Sequence, residues 1–160
     1  MSDASPSKPT LSSRSTWNEY FMRIALEVSS RATCPRRSVG AVIVREKMII
    51  ATGYNGSVRG MPHCHDADCM MEDGHCVRTI HAEANALIQA ARNGGRVEGA
   101  TIYINVFPCW SCAKLLFNAG IVRVVYSELY RPTLDPRVVS TAAAVGVELV
   151  TLPMADPPRA

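Results

Sequence analysis

Apolar residues recur at helical spacing near the start of the chain. After Thr16, the apolar positions that share one face of a helix are Trp17, Phe21, Ile24, Ala25 and Val28. Thr16 and Glu19 have the spacing of a capping box, in which each side chain bonds the backbone N–H of the other residue. The pattern therefore predicts a core helix that begins directly after Thr16.

Two β-branched runs and a series of alternating elements follow. Val39–Val44 and Met48–Gly53 are separated by Arg45-Glu46-Lys47, which is the pattern of a β-hairpin. A polar loop follows at 61–79. Beyond it the pattern predicts helices at 80–93, 111–119 and 136–145, and strands at 101–105, 123–127 and 147–152. A hairpin followed by alternating strands and helices favours an α/β protein whose mixed sheet is covered by helices on both faces.

Length and composition favour one soluble domain. The chain has 160 residues, of which 48% are hydrophobic and 19% charged, with a net charge of +3. We expect one domain at 15–152, between a disordered tail at 1–14 and a Pro-rich tail at 153–160. The scattered arginines give no nucleic-acid footprint. No apolar run has the length of a membrane span and no signal peptide is recognisable, so we expect a cytoplasmic protein without membrane contact.

Two short motifs carry the clearest chemistry. The first is His81-Ala82-Glu83, and the second is Pro108-Cys109-Trp110-Ser111-Cys112. One imidazole and two thiolates give Zn²⁺ three protein ligands and leave a fourth position open, as in catalytic zinc sites. A carboxylate two residues after the histidine is suited to proton transfer beside the metal. Both motifs are predicted at helix N-termini, where partial positive charge favours thiolate over thiol.

The two motifs resemble those of the cytidine deaminase-like superfamily, and more narrowly of the bacterial and phage deoxycytidylate (dCMP) deaminases. The resemblance covers residues 16–152 and also rests on Val39–Val44, Gly53–Ser57, Pro62–Cys64 and His75–Glu83. It implies a three-layer α-β-α fold with a five-stranded mixed sheet. It also implies zinc-dependent hydrolysis of dCMP to dUMP and ammonia, a reaction that supplies dUMP for thymidylate synthesis.

The resemblance assigns roles to individual residues of the two motifs. His81, Cys109 and Cys112 would bind the catalytic zinc. Glu83 would act as the general acid and base that moves protons between water, the pyrimidine ring and the leaving ammonia. The backbone N–H of Ala82 would help to hold the pyrimidine.

Further substrate contacts are predicted outside the metal motifs. By the resemblance, Asn55 matches the position that contacts the sugar, and Tyr126 is placed at a strand end where its ring would stack on the pyrimidine. A single phosphate needs one or two cations, and Arg31 and Arg59 are our candidates for that contact. Two more arginines lie near the same loops, and the sequence does not choose among the four: Arg31, Arg36, Arg37 and Arg59.

Four more cysteines lie in the same half of the chain as three histidines. In a reducing compartment such a cluster favours metal ligation over disulfides, although free thiols remain the alternative. Some dCMP deaminases that the chain resembles carry a second, structural zinc. By that resemblance Cys34 and Cys64 are ligands, and the others come from Cys69, His75 and Cys76. The resemblance further implies a homo-hexamer, with activation by dCTP and inhibition by dTTP in the presence of Mg²⁺.

Three other functions compete with this interpretation. A tRNA adenosine deaminase shares both metal motifs but requires a more basic surface for RNA. Trp110 is bulkier than the residue usual between the two cysteines, which raises the alternative of a modified cytosine nucleotide as substrate. A zinc-stabilised binding module without turnover is the alternative outside enzymes, and the intact Glu83 argues against it.

Overall fold

A computed structural model describes residues 14–154 of the chain. The predicted tails, 1–14 and 153–160, fall almost entirely outside this range. Within it, the four predicted helices and the five predicted strands all form. The elements in chain order are α1 (Trp17–Ser29), β1 (Gly40–Arg45), β2 (Met48–Tyr54), β3 (Gly56–Ser57), β4 (Met71–Glu72), β5 (His75–Cys76), β6 (Thr79–Ile80), α2 (Ala82–Arg92), β7 (Thr101–Val106), α3 (Trp110–Asn118), β8 (Arg123–Glu128), α4 (Pro136–Val145) and β9 (Glu148–Thr151).

The five longer strands form one mixed sheet in the order β2-β1-β7-β8-β9. β1 runs antiparallel to both of its neighbours, whereas β7, β8 and β9 are parallel. The parallel strands are joined by α3 and α4, because a parallel pair requires a crossover connection. The predicted mixed sheet is confirmed, and the carboxyl ends of the three parallel strands meet at one edge.

Helices cover both faces of the sheet. α1 begins at the predicted capping box, where Glu19 N donates to Thr16 Oγ1 over 3.3 Å and Thr16 N donates to Glu19 Oε2 over 2.7 Å. α1 buries Phe21, Met22 and Ala25 against one face. The other face packs against α2 and α3 in a core made of Ala41, Ile43, Ala82, Ala86, Ile102, Ile104, Leu116 and Val124. The three-layer α-β-α arrangement is therefore confirmed.

Gly53 lets α2 approach the sheet closely. A Cβ atom at this position would lie 2.3 Å from the carbonyl oxygen of Ala82 and 2.4 Å from the backbone nitrogen of Ala86. Both distances are shorter than van der Waals contact, so any side chain would push the first turns of α2 away from β2. The glycine thus sets the position of the helix that carries the first metal motif.

The loop at 61–79 has more structure than its composition predicts. β3 pairs with β6 and β4 pairs with β5, which gives two ribbons of two residues per strand. Pairs of this length show no recognisable alternation, so sequence patterning does not find them.

None of the helices within residues 14–154 has the length and hydropathy that a transmembrane span requires.

Candidate active site

Two helix N-termini bring the two metal motifs together. His81 occupies the N-cap position of α2 and Cys109 the N-cap position of α3, each with extended backbone angles. Neither side chain bonds its own helix N-terminus, so imidazole and thiol are both free for another partner. Cys112 lies one turn into α3 and is buried. The start of each helix also contributes partial positive charge, which favours thiolate at both cysteines.

The two cysteine thiols both lie close to one ring nitrogen of His81. His81 Nδ1 lies 3.5 Å from Cys109 Sγ and 3.4 Å from Cys112 Sγ, and the three potential ligand atoms all lie within 4.8 Å of one another. A tetrahedral zinc site, with Zn–S of about 2.3 Å and Zn–N of about 2.0–2.1 Å, places nitrogen and sulfur roughly 3.6 Å apart. The donor set and its spacing therefore fit a zinc ion.

Hydrogen bonding among these side chains shifts their proton affinities. The bond with Cys112, together with one from His81, lowers the pKa of the Cys109 thiol to about 4. The same bond with Cys109, together with burial, raises the pKa of the Cys112 thiol. The bond to Cys109 raises the pKa of His81 above its usual value. At neutral pH the cluster therefore already holds one thiolate beside the imidazole.

Glu83 lies in the first turn of α2 and is only 4% exposed. Burial raises the pKa of its carboxyl to about 7, because the charged form loses its hydration. Glu83 does not belong to the group of three ligand atoms. A buried carboxyl that takes up and releases a proton near neutral pH is suited to general acid–base chemistry.

A cleft of about 370 Å³ opens onto these residues. His81, Ala82, Glu83 and Cys109 lie along it, as do the apolar Val106 and Phe107. Its charged side chains, apart from Glu83 and the histidines, are four arginines and one acid: Arg36, Arg37, Arg131, Arg137 and Asp135. The cleft therefore combines a reactive end with a positively charged rim, which suits an anionic ligand.

Of the predicted substrate contacts, Ala82 and Asn55 line the cleft. The amide of Asn55 is already bonded to backbone: Oδ1 accepts from Val39 N and Nδ2 donates to the carbonyl oxygen of Arg37, each over 2.8 Å. A sugar contact would therefore use the remaining lone pair or proton of this amide.

The other three predicted contacts are not supported, since Arg31, Arg59 and Tyr126 do not line the cleft. The Tyr126 ring is buried and packs edge-on against Phe107, with ring centroids 4.9 Å apart. Its hydroxyl accepts a hydrogen bond of 2.6 Å from Thr151. Phe107 is the ring that lines the cleft at this point.

Arg37, one of the four arginines among which the sequence did not choose, lines the cleft. Its guanidinium donates to Glu128 Oε2 over 2.5 Å and lies 5.4 Å from the ring centroid of Tyr130. Glu128 ends β8, and Tyr130 follows in the next loop. Ligands of α/β proteins bind at the carboxyl ends of parallel strands, so this rule could have drawn attention to the segment after β8.

A second cluster of thiols lies in the loop before α2. The Sγ atoms of Cys64, Cys69 and Cys76 all lie within 4.8 Å of one another, and those of Cys64 and Cys76 are 3.7 Å apart. Cys34 and His75, which we also predicted as ligands, lie outside this group and line the cleft. We refer to Cys64, Cys69 and Cys76 as the three-thiol cluster.

The fold and the site define a zinc-binding deaminase, and comparison with known proteins agrees. The family model for the cytidine and deoxycytidylate deaminase zinc-binding region matches residues 15–128, and the chain belongs to this family. It is 48% identical over 139 residues to ComE operon protein 2 of Bacillus subtilis (strain 168), covering 87% of this chain and 74% of that protein.

Two further relatives are named as deoxycytidylate (dCMP) deaminases. The deoxycytidylate deaminase of Saccharomyces cerevisiae is 38% identical over 153 residues, but the chain covers only 48% of its length, against 91% of its own. The crystal structure of dCMP deaminase from the cyanophage S-TIM5, in complex with dCMP and dUMP, is similar with a TM-score of 0.73 and 32% identity. That match covers 84% of this chain and 95% of the phage chain. The predicted family is confirmed.

Proposed function

We propose that the protein hydrolyses dCMP to dUMP and ammonia with a bound zinc ion. The observation that carries the proposal is the convergence of Cys109 and Cys112 on His81 Nδ1, beside a cleft that His81, Cys109 and Glu83 line. Family membership supports the reaction class. The two relatives named as deoxycytidylate deaminases support the nucleotide.

His81, Cys109 and Cys112 would hold the metal, because they form the donor set of a catalytic zinc site. Zinc supplies Lewis acidity that lowers the pKa of a coordinated water from about 15.7 to about 7. Cys112, Val106 and Phe107 are buried, which shields one side of the site from bulk water, whereas His81 and Cys109 are exposed.

Glu83 moves the protons. It accepts one proton from the attacking water and passes it to N3 of the pyrimidine, while the water oxygen bonds to C4. A second proton, from the new C4 hydroxyl, passes through Glu83 to the amino group, and the C4–N bond breaks to release ammonia. Burial raises the pKa of this carboxyl, which favours uptake of a proton by Glu83.

Arg37 is our assignment for the phosphate. Arg137 donates to Asp135 through both Nε and a terminal nitrogen, over 3.0 and 2.7 Å, whereas Arg37 donates to Glu128 through one terminal nitrogen and keeps its other N–H groups for a phosphate. Arg36 donates to the carbonyl oxygen of Gly74. The Arg37 side chain is 31% exposed and stacked on a tyrosine, so it loses less conformational freedom on binding than an exposed arginine.

We further propose that the three-thiol cluster binds a structural zinc. Three thiolates supply three of the four ligands of such a site. His63 is our candidate for the fourth, because its Nδ1 atom is buried and has no hydrogen-bond partner among residues 14–154. Metal at this position would tie together the segment 56–80, whose regular structure consists of four two-residue strands.

Assembly, regulation and location are proposed from the family resemblance. The proposals are a cytoplasmic homo-hexamer, activation by dCTP and inhibition by dTTP with Mg²⁺. Exposed apolar residues on the outer side of the helices support contact between copies: Ile88, Leu115, Val139 and Val145.

A modified cytosine nucleotide is the second candidate substrate. Trp110 lines the cleft, and its ring lies 5.7 Å from the guanidinium carbon of Arg137 and 5.6 Å from Lys114 Nζ. The cations hold the ring at the cleft wall, where its bulk would discriminate among substituents on the nucleotide.

The test is an assay of dCMP, a 5-substituted dCMP, deoxycytidine, CMP and adenosine in tRNA with the same zinc-loaded protein. We expect the highest kcat/KM for dCMP. A higher value for tRNA would overturn the proposal, and a higher value for a 5-substituted dCMP would select the second candidate.

A further inference from the structure

Two buried asparagines hold the segment that carries Arg37. Asn55 accepts from Val39 N and donates to the Arg37 carbonyl oxygen, each over 2.8 Å. Asn105 accepts from Gly40 N over 2.9 Å and donates to the Ser38 carbonyl oxygen over 3.0 Å. The two side chains thus bond four consecutive residues, 37–40. We call Asn55 and Asn105 the amide clamp.

The amide clamp is buried on both sides of the segment. Asn55 is 7% exposed and Asn105 is 8% exposed. A buried amide is costly unless its donor and acceptor are both bonded, so each side chain is restricted to the orientation that satisfies these bonds. The backbone of residues 37–40 is therefore fixed to the end of β2 on one side and to β7 on the other.

Asn105 connects this segment with the second metal motif. It lies near the carboxyl end of β7, four residues before Cys109. Glu128, the partner of Arg37, lies beside the same strand end, since Phe107 N donates to the Glu128 carbonyl oxygen over 2.8 Å. Ser38 and Gly40, close to Arg37 in the chain, are thus bonded to the strand that leads into α3, and Glu128, which bonds the Arg37 side chain, lies beside the end of that strand.

We propose that Asn105 is a positioning residue, which fixes Arg37 at a set distance from the reacting end of the cleft so that its guanidinium meets the substrate phosphate. This inference rests on the proposed function and on Arg37 as the phosphate contact. A phosphate held by a preorganised cation positions the pyrimidine ring beside Glu83. A displaced Arg37 therefore weakens the binding of phosphorylated substrate only.

If Asn105 only stabilised the fold, its substitution would lower stability without a selective effect on phosphorylated substrate. Loss of a buried hydrogen bond lowers stability whatever the substrate. Ser127 is a matched control, because it is also buried at 8% exposure on the neighbouring strand β8, where its hydroxyl accepts from Met154 N over 3.1 Å. Ser127 does not line the cleft, and the side chain of Arg37 bonds Glu128 instead.

The experiment compares steady-state kinetics of wild type, Asn105→Ala, Arg37→Ala, the double variant and Ser127→Ala on dCMP and deoxycytidine. We expect Asn105→Ala to raise KM for dCMP about tenfold with kcat changed less than about threefold. KM for deoxycytidine, which has no phosphate, should stay unchanged. In the Arg37→Ala background, Asn105→Ala should add nothing to KM for dCMP. Ser127→Ala should lower Tm without a change in either KM.

Equal increases of KM for dCMP and deoxycytidine, or additive increases in the double variant, would overturn the inference. If Asn105→Ala does not fold, Asn105→Ser serves instead, because its short neutral side chain cannot bond both Gly40 N and the Ser38 carbonyl oxygen. Absence of dCMP turnover by the wild type would overturn the proposed function itself, and with it this inference. If the wild type turns over dCMP but Asn105→Ala does not raise KM for dCMP selectively over KM for deoxycytidine, only the role of Asn105 is overturned.

Discussion

The Nδ1 atom of His81 lies 3.4 Å from the Sγ atom of Cys112, although the two residues are 31 positions apart. His81 precedes α2 and Cys112 lies in the first turn of α3. The contact therefore joins the N-termini of two helices on the same face of the sheet. A metal held here would bind the helices to each other as well as supply chemistry, so stability and activity should both depend on it.

Glu83→Gln should abolish most of the turnover without removing the metal. The amide keeps the size of the side chain but cannot carry the two protons of the reaction. We expect kcat for dCMP to fall by roughly 1,000-fold, within the range that a general acid–base group contributes. Zinc content, measured by atomic absorption, should match that of the wild type. A variant that retains more than a tenth of wild-type kcat would contradict the role assigned to Glu83.

Cys112→Ser should lower both zinc content and thermal stability. It removes one of the three ligands at the junction of α2 and α3, and binding of the metal to the folded state stabilises that state. Cys34→Ser is the matched control, since Cys34 is a thiol that lines the cleft and belongs to neither cysteine group. We expect one zinc per chain fewer and a lower Tm for Cys112→Ser only. Equal zinc content in the two variants would contradict the assignment.

Cys69→Ser tests the three-thiol cluster separately. The proposal expects two zinc ions per wild-type chain and one in this variant. Because Cys69 does not belong to the group of His81, Cys109 and Cys112, kcat should fall much less than in Cys112→Ser. Zinc stoichiometry and kcat, determined on the same samples, decide the question. One zinc per chain in the wild type would show that the cluster consists of free thiols.

Gly53→Ala should disturb the active site through α2. The added methyl group would lie 2.3 Å from the Ala82 carbonyl oxygen, so helix or strand must shift. We expect a loss of about 2 kcal/mol or more in the free energy of unfolding, together with a lower zinc content. Gly146→Ala is the control: it has φ +75° at the end of α4 and no neighbour within 4 Å. Backbone strain there should cost about 1 kcal/mol and leave zinc content unchanged.

The sequence predicted the fold well because its elements follow simple rules. The apolar spacing after Thr16, the hairpin around Arg45-Glu46-Lys47 and the alternation of later elements correspond to α1, β1, β2 and the remaining sheet. The two metal motifs were also visible, since zinc chemistry limits the ligands to few residue types. Local pattern was sufficient for each of these predictions.

Contacts between distant segments were not predictable in the same way. Asn105 appeared only as the end of a strand, because its partners Ser38 and Gly40 lie 67 and 65 positions away. Tyr126 was expected to stack on the base, but the side chain packs against Phe107 instead. Which arginines face the cleft depends on the directions of loops, which composition does not encode. These features follow from tertiary packing rather than from local pattern.

The central claim is best tested by titrating zinc into metal-free protein and following dUMP and ammonia formed from dCMP. We predict that turnover appears only with added zinc, and that one ammonia is released for each dUMP. Protein that binds zinc and leaves dCMP unchanged would contradict the account.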